Sequence, residues 1–300
     1  MKAFGKTMIV ISIILIIAGT ILLSVSFLLG SQKIITAIDD GELSYRWSWS
    51  GLKVYDLENN KIIIDNLYDG YEPSDNRISG SIKKINLDIK AADITINYVK
   101  GDTSSIESKN FAKGYLEINQ KNGTLEIVDK TPSGFIPNMG KFTIKLIINL
   151  CEKDIDNLEI DLGLGELKIN DINVSNLEIE NGMGSIYMKN MEIGDCYAHA
   201  GMGSIDLDNI YAKDIEIDCG MGTAKATKFS FKKCYINNGM GDINLKLNMD
   251  EEDLFIDGKC GLGEIKINGM NYRNNIRYGK NTSNELTFDC GMGSVNISFN

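Results

Sequence analysis

A Gly-x-Gly tripeptide begins at Gly163, Gly182, Gly201, Gly220, Gly239, Gly261 and Gly291, and its first four spacings are 19 residues each. The next two are 22 and 30, so a strict array is followed by units that carry insertions. Self-similarity at a fixed short period is the mark of stacked repeats, in which no unit can bury its apolar face alone. That constraint outweighs any local propensity.

With the first glycine of each pair as origin, the columns alternate in polarity, as strand side chains do with a period of two. Four residues on stand Leu167, Ile186, Ile205, Ala224, Ile243, Ile265 and Val295; six on stand Ile169, Met188, Leu207, Ala226, Leu245, Ile267 and Ile297. A second apolar pair follows in Ile172 with Val174, Met191 with Ile193, Ile210 with Ala212 and Phe229 with Phe231. A third strand leads into the next glycine pair, as in Leu158 with Ile160, Leu177 with Ile179, Cys196 with Ala198 and Ile215 with Ile217. Turns are expected at the glycine pair, near Asp171, Asn190 and Asn209, and near Ser175, Gly194 and Lys213.

Three short strands per unit cannot form separate hairpin sheets and keep every apolar column in register, but stacked rungs about 4.8 Å apart can. The expected fold is therefore all-β, a parallel β-solenoid of rungs about 19 residues long. A sandwich of antiparallel hairpins is the alternative. The glycines Gly165, Gly184, Gly203, Gly222, Gly241, Gly263 and Gly293 close each pair, where a sharp corner calls for positive φ.

Between the paired glycines lie Leu164, Met183, Met202, Met221, Met240, Leu262 and Met292. Thioethers in a ladder suit Cu(I). Leucine at two of the seven places favours the plainer expectation that the column fills space in the packing. None of the glycine motifs opens a helix, so a dinucleotide-binding loop is not expected. The position after each pair reads Glu166, Ser185, Ser204, Thr223, Asp242, Glu264 and Ser294, too mixed for a calcium-binding ladder. An acidic stripe on the third strand holds Glu159, Asp161, Glu178, Glu180, Glu216 and Asp218, with Asp257 and Asp289 further on. These are weak candidates for a divalent cation, since solvated faces are usually charged. His199 falls in the same stripe, and no partner for a general base is expected beside it.

Thirty-one Lys and Arg against 41 Asp and Glu give a net charge of -10, which disfavours nucleic acid as a partner. One His, two Trp and three Pro against 30 Gly leave few side chains for a histidine-based metal centre or nucleophile triad. No cofactor is expected. Because the carboxylates follow the repeat, they describe a face in preference to a cleft, and an enzyme acting on polysaccharide is the least favoured class.

Of the six cysteines, Cys196 and Cys234 share a column two rungs apart, too far to bond. Cys219, Cys260 and Cys290 share the position before the glycine pair, and the one bridge the register permits is Cys260 with Cys290. Mostly free, buried thiols are favoured, and they hint at a reducing or anaerobic habitat.

Residues 8–29 form an uncharged apolar run of 22 positions, long enough to cross a membrane as one helix. Lys2 and Lys6 precede it, which assigns residues 1–7 to the cytoplasm and the rest to the outside. A cleaved signal peptide is the competing reading, disfavoured by the length of the run. Residues 30–79 read as linker and cap, with the aromatic cluster Tyr45, Trp47 and Trp49, and residues 80–300 as the repeat domain. Ile85, Leu87 and Ile89, then Ile94, Ile96 and Tyr98, flank Ala91-Ala92-Asp93 as a degenerate rung, and residues 115–128 form strands around an Asn122-Gly123 turn. The chain stops at Asn300 just after a strand, Val295 to Phe299, so an open C-terminal edge that meets another copy or a partner is expected.

These motifs resemble the bacterial family of membrane-anchored β-strand-repeat proteins known as "putative adhesin", otherwise a domain of unknown function. The resemblance covers about residues 80 to 300. It rests on Lys84-Ile85-Asn86-Leu87-Asp88, on Leu158-Glu159-Ile160-Asp161 before the first glycine pair, and on the recurrent Gly-x-Gly-Asp/Ser/Glu turn. The family usually carries Ser-Gly-Asp there, whereas several units here read Gly-Met-Gly-Ser. The resemblance implies a cell-envelope location and no catalytic residues. The expected role is a non-enzymatic, membrane-anchored extracytoplasmic interaction module, an adhesin or a structural protein of the cell envelope, whose partner is a cell-wall glycan or a surface or membrane protein. An envelope-stress sensor acting through membrane proteins is the alternative.

Overall fold

The computed structural model describes residues 43–48, 51–56, 61–62, 76–78, 80–109, 111, 115–131, 144–280 and 282–299. The apolar run at 8–29 lies outside them, as do Trp49 and the side chains of Tyr45 and Trp47. Among the described residues no helix is long and apolar enough to cross a membrane. The chain divides into two compact units, one ending at Asp69 and one running from Gly70. The first holds a three-stranded antiparallel sheet of Leu43–Ser48, Gly51–Asp56 and Lys61–Ile62.

The second unit is a stack of rungs paired in parallel with a stride of 19 residues. Asp154–Leu164 pairs with Asn173–Met183 so that Leu158 meets Leu177 and Ile160 meets Ile179. The same step carries Ile186 to Ile205, Ile205 to Ala224 and Ala224 to Ile243. The alternating columns read from the sequence are the core: Leu158, Ile179, Ile186, Ile205, Ile217, Ile236 and Ile243 are all buried. Volume is balanced within a rung as well as between rungs. Where the first strand narrows to Ala224 and Ala226, the second widens to Phe229 and Phe231, whose rings lie 4.9 Å apart. Gly258 likewise leaves the space that the Phe288 ring fills, since a Cβ there would sit 2.3 Å from it.

The corners show why the sequence repeats as it does. The second glycine of each pair has φ between 136° and 154°, and an added Cβ would lie 1.6 to 2.0 Å from a carbonyl oxygen of the neighbouring rung. The first glycine has no positive φ. It is required by close approach, because a Cβ there would meet the carbonyl below at 2.5 to 2.7 Å. The next corner uses Asp171, Asn190, Asn209 and Lys228 at φ of 51° to 62°, a region that Asn and Asp tolerate best. Asn209 Nδ2 donates to Asn190 Oδ1 at 2.9 Å, and Asn190 Nδ2 to Asp171 Oδ1 at 2.8 Å.

Rung order departs from chain order at both ends. The degenerate rung is present as Lys84–Ala91 and Asp93–Tyr98, stacked directly on Asp154–Leu164 and Leu167–Asn170. Thr124–Asp129 and Lys145–Leu150, later in the chain, pair on its far side. The C-terminal end mirrors this. Asn284–Met292 lies between Ala224–Met240 and Leu254–Leu262, and Val295–Phe299 lies between Ile243–Leu247 and Ile265–Ile267. The expected open C-terminal edge is therefore corrected: Val295–Phe299 is paired along its whole length on one side and over Val295–Ile297 on the other, with Val295 and Ile297 in the core.

Antiparallel strands finish both ends. Leu116–Lys121 folds back on Thr124–Asp129 through Asn122-Gly123, with φ of 52° and 76°. Met270–Tyr272 folds back on Ile265–Ile267 through Asn268-Gly269, with φ of 48° and 77°. Both are the Asn-Gly turns that favour two-residue hairpins. Charged, exposed strands such as Leu116–Lys121 thus occupy the outside of the stack, where bare core strands would invite further pairing.

Lys228 is the one lysine in a corner column otherwise filled by Asn and Asp, and a non-glycine residue other than Asn or Asp is strained at that φ. Lys228→Asn removes the strain and offers a donor to Asn209. We expect a gain of roughly 0.5 to 1 kcal/mol, read as a higher urea midpoint; an unchanged or lower midpoint would count against the ladder.

Candidate interaction face

The third strand of each rung turns its odd residues inward and its even residues outward, or the reverse, so each outward position becomes a column running along the stack. One column reads Asn86, Glu159, Glu178, Tyr197, Glu216, Tyr235, Thr287 and Asp257. The next reads Asp88, Asp161, Glu180, His199, Asp218, Asn237, Asp289 and Lys259. A third, at the corner, reads Asn157, Asn176, Asp195, Asp214, Lys233 and Glu285.

Between the corner column and the first outward column runs a groove of about 570 Å³, lined by Glu178, Asp195, Tyr197, Asp214, Glu216, Lys233, Tyr235 and Glu285. Five carboxylates face one ammonium on its walls, and Lys213 bridges Asp195 and Asp214 at 3.6 and 3.4 Å. Tyr197 and Tyr235 stand two rungs apart with Glu216 between them, and Tyr235 is 40% exposed. Burial first, then the carboxylates Asp218, Glu180, Glu216 and Glu178, hold the Tyr197 phenol above its usual pKa, so it remains a neutral hydrogen-bond donor. Cys196 and Cys234 contribute to the floor. Burial pushes Cys196 up to about 12 and Cys234 upward too, so neither supplies a thiolate nucleophile.

The six acidic residues proposed as weak cation ligands divide into two groups. Glu159 adjoins Glu178 and Asp161 adjoins Glu180 across one rung boundary, whereas Tyr197 separates Glu178 from Glu216 and His199 separates Glu180 from Asp218. Among the described residues no group of three or more His, Cys, Asp or Glu side chains is placed to hold a metal ion. The register does give His199 a neighbour, contrary to expectation: its Nδ1 lies 3.3 Å from Asp218 Oδ2, without the alignment of a hydrogen bond. Asp218 also accepts from Asn237 Nδ2 at 3.2 Å. His199 and Asp218 lie in the neighbouring outward column and do not line the groove.

All six cysteines are free, and Cys260 and Cys290 are register partners, as the columns require. The methionine column departs from expectation. Met183, Met202, Met221 and Met240 are each 43% exposed and Met292 is 45% exposed, so they lie outside the core and not in it. The reason is the corner itself: the flanking glycines turn the intervening side chain outward while Cys219, Asn238 and Cys290, two residues before each methionine, point inward.

Sequence reasoning identified the acidic stripe but not the groove. Asp195 and Asp214 were legible only as residues beside the expected turns at Gly194 and Lys213. Their meeting depends on how sharply the corner bends, which column identity does not encode.

A pH experiment tests the repulsion on this face. Asp161 is held above the usual carboxylate pKa, first by burial, then by Asp88 and Glu180. A raised folded pKa means that the folded state binds the proton more tightly, so this group costs stability as pH rises from the unfolded value of 3.8 through the folded one. Asp161→Asn should raise the urea midpoint at pH 7, with the gain vanishing below pH 3.8. A gain that persisted in acid would assign the effect to something other than charge.

The family model described as Toastrack DUF4097 matches residues 82–291. No curated protein matches the chain. Among solved structures, the chain is similar to a "putative cell adhesion protein" from Clostridium sporogenes, with 18% identity over 76% of this chain and 100% of that one and a TM-score of 0.37. It is also similar to a "putative adhesin" from Bacteroides fragilis, with 12% identity, 76% and 98% coverage and a TM-score of 0.35. A "putative lipid binding protein" from Parabacteroides distasonis shows 17% identity, 77% and 98% coverage and a TM-score of 0.35.

Proposed function

We propose that this chain, which belongs to the Toastrack DUF4097 family, is a non-enzymatic interaction module anchored in the cell membrane by residues 8–29, with its repeat domain outside the cytoplasm. The groove carries this reading. It is elongated and shallow, walled by carboxylates that accept hydrogen bonds from hydroxyl or amino groups, and it presents two tyrosine rings on one line. Aromatic rings spaced along hydrogen-bonding walls suit an extended, non-anionic polymer such as a cell-wall glycan or a basic surface peptide. The same carboxylates repel polyanions. The raised pKa of the floor thiols Cys196 and Cys234 keeps them neutral beneath a bound ligand.

The reading predicts saturable binding of the full chain, in detergent, to isolated cell-wall material. Tyr197→Ala and Tyr235→Ala should each weaken binding about fivefold to thirtyfold, the effect of losing roughly 1 to 2 kcal/mol at an aromatic anchor. Binding that survives in the double variant would place the contact elsewhere. No binding to cell-wall material, with crosslinking to a membrane protein instead, would favour the sensor.

A further inference from the structure

We propose that the exposed methionine column is a binding site for a soft monovalent cation, Cu(I) or its analogue Ag(I). In spatial order the column reads Leu164, Met183, Met202, Met221, Met240, Met292 and Leu262. Chain order would put Leu262 after Met240 and interrupt the thioethers. The insertion of Asn284–Met292 between its neighbours brings Met292 beside Met240 and makes five methionines continuous.

Packing does not account for these side chains. Met188 and Met191, which do fill the core, are 1% and 2% exposed, whereas the five ridge residues are 43% to 45% exposed. Each is flanked by glycine on both sides, so no neighbouring side chain along its own rung covers the sulfur. The spacing fits a bridging ion. Parallel strands stand about 4.8 Å apart, close to twice the metal–sulfur bond of about 2.3 Å known for zinc and thiolate, the scale on which a bridging ion must fit. Two thioethers on adjacent rungs can therefore grip one ion in near-linear geometry without moving the backbone. A donor set of thioethers alone selects soft Cu(I) or Ag(I) over Ca²⁺ or Mg²⁺, which prefer oxygen.

Five thioethers make four gaps. Ions in adjacent gaps would have to divide one thioether's donation between them, and they would also lie about 4.8 Å apart, where like charges repel weakly in water, so each ion takes its own pair of sulfurs and the ridge holds two ions in non-adjacent gaps. This sets a pattern that depends on position. Met202→Leu or Met240→Leu leaves only two adjacent gaps and room for one ion, while Met221→Leu leaves the two outer gaps and room for both. Leucine at 164 and 262 shows that the corner accepts it.

The test is titration of the full chain in detergent with Ag(I), read by native mass spectrometry and calorimetry, with circular dichroism confirming the fold of each variant. The expected result is two Ag(I) ions more in the parent than in a variant with all five residues changed to Leu. One is lost in Met202→Leu and Met240→Leu and none in Met221→Leu. Subtracting the five-Leu variant removes uptake by the six thiols. If that variant does not fold, the three single variants carry the test. Equal uptake in all variants, equal losses at all three single positions, or binding weaker than about 1 mM would overturn the proposal.

Discussion

The whole stack depends on how closely two backbones can approach at one corner. With a carbonyl oxygen within 2.0 Å of where the second glycine's Cβ would be, any side chain there would push neighbouring rungs apart. It would break the ladder in which Gly184 N reaches Met202 O at 2.8 Å and Gly203 N reaches Met221 O at 2.9 Å. The corner fixes the register, and the register fixes everything outside it. A one-residue slip would exchange the core columns for the charged ones.

The inner and outer surfaces are therefore two consequences of one repeat. Inward positions merge into a continuous core in which loss of volume in one strand is offset in the next, as Ala224 and Ala226 are by Phe229 and Phe231. Outward positions merge into lines of like chemistry: carboxylates interrupted by Tyr197 and Tyr235 on one face, thioethers at the corner. A line of repeated groups suits a ligand that is itself extended or repeated.

Much of this was legible in the sequence because period and polarity are local properties. The alternating core columns, the parallel stacking, the bends at Asp171, Asn190 and Asn209, and the Asn122-Gly123 hairpin all follow from which residue types recur where; the three short strands expected per rung run together in the central rungs, where Ile186–Met202, Ile205–Met221 and Ala224–Met240 are each continuous across the bend. Rung order was not legible. Asn284–Met292 matches its columns equally well above or below Leu254–Leu262, since column identity carries no information about which neighbour lies between. Asn268-Gly269 was the available signal, because a tight hairpin after Ile265–Ile267 occupies the outer edge and leaves the following strand to enter elsewhere. The methionines failed as core residues for a related reason: composition suggested packing, while the flanking glycines had already turned them outward.

Hydrogen exchange on the last strand tests this arrangement most directly. If Val295–Ile297 lies between Ile243–Leu247 and Ile265–Ile267, its amides should be protected as strongly as those of Ile205–Met221 at the centre of the stack. Exchange as fast as in the outer strand Leu116–Lys121 would mean that the chain ends at an open edge, and would dissolve the continuous methionine column with it.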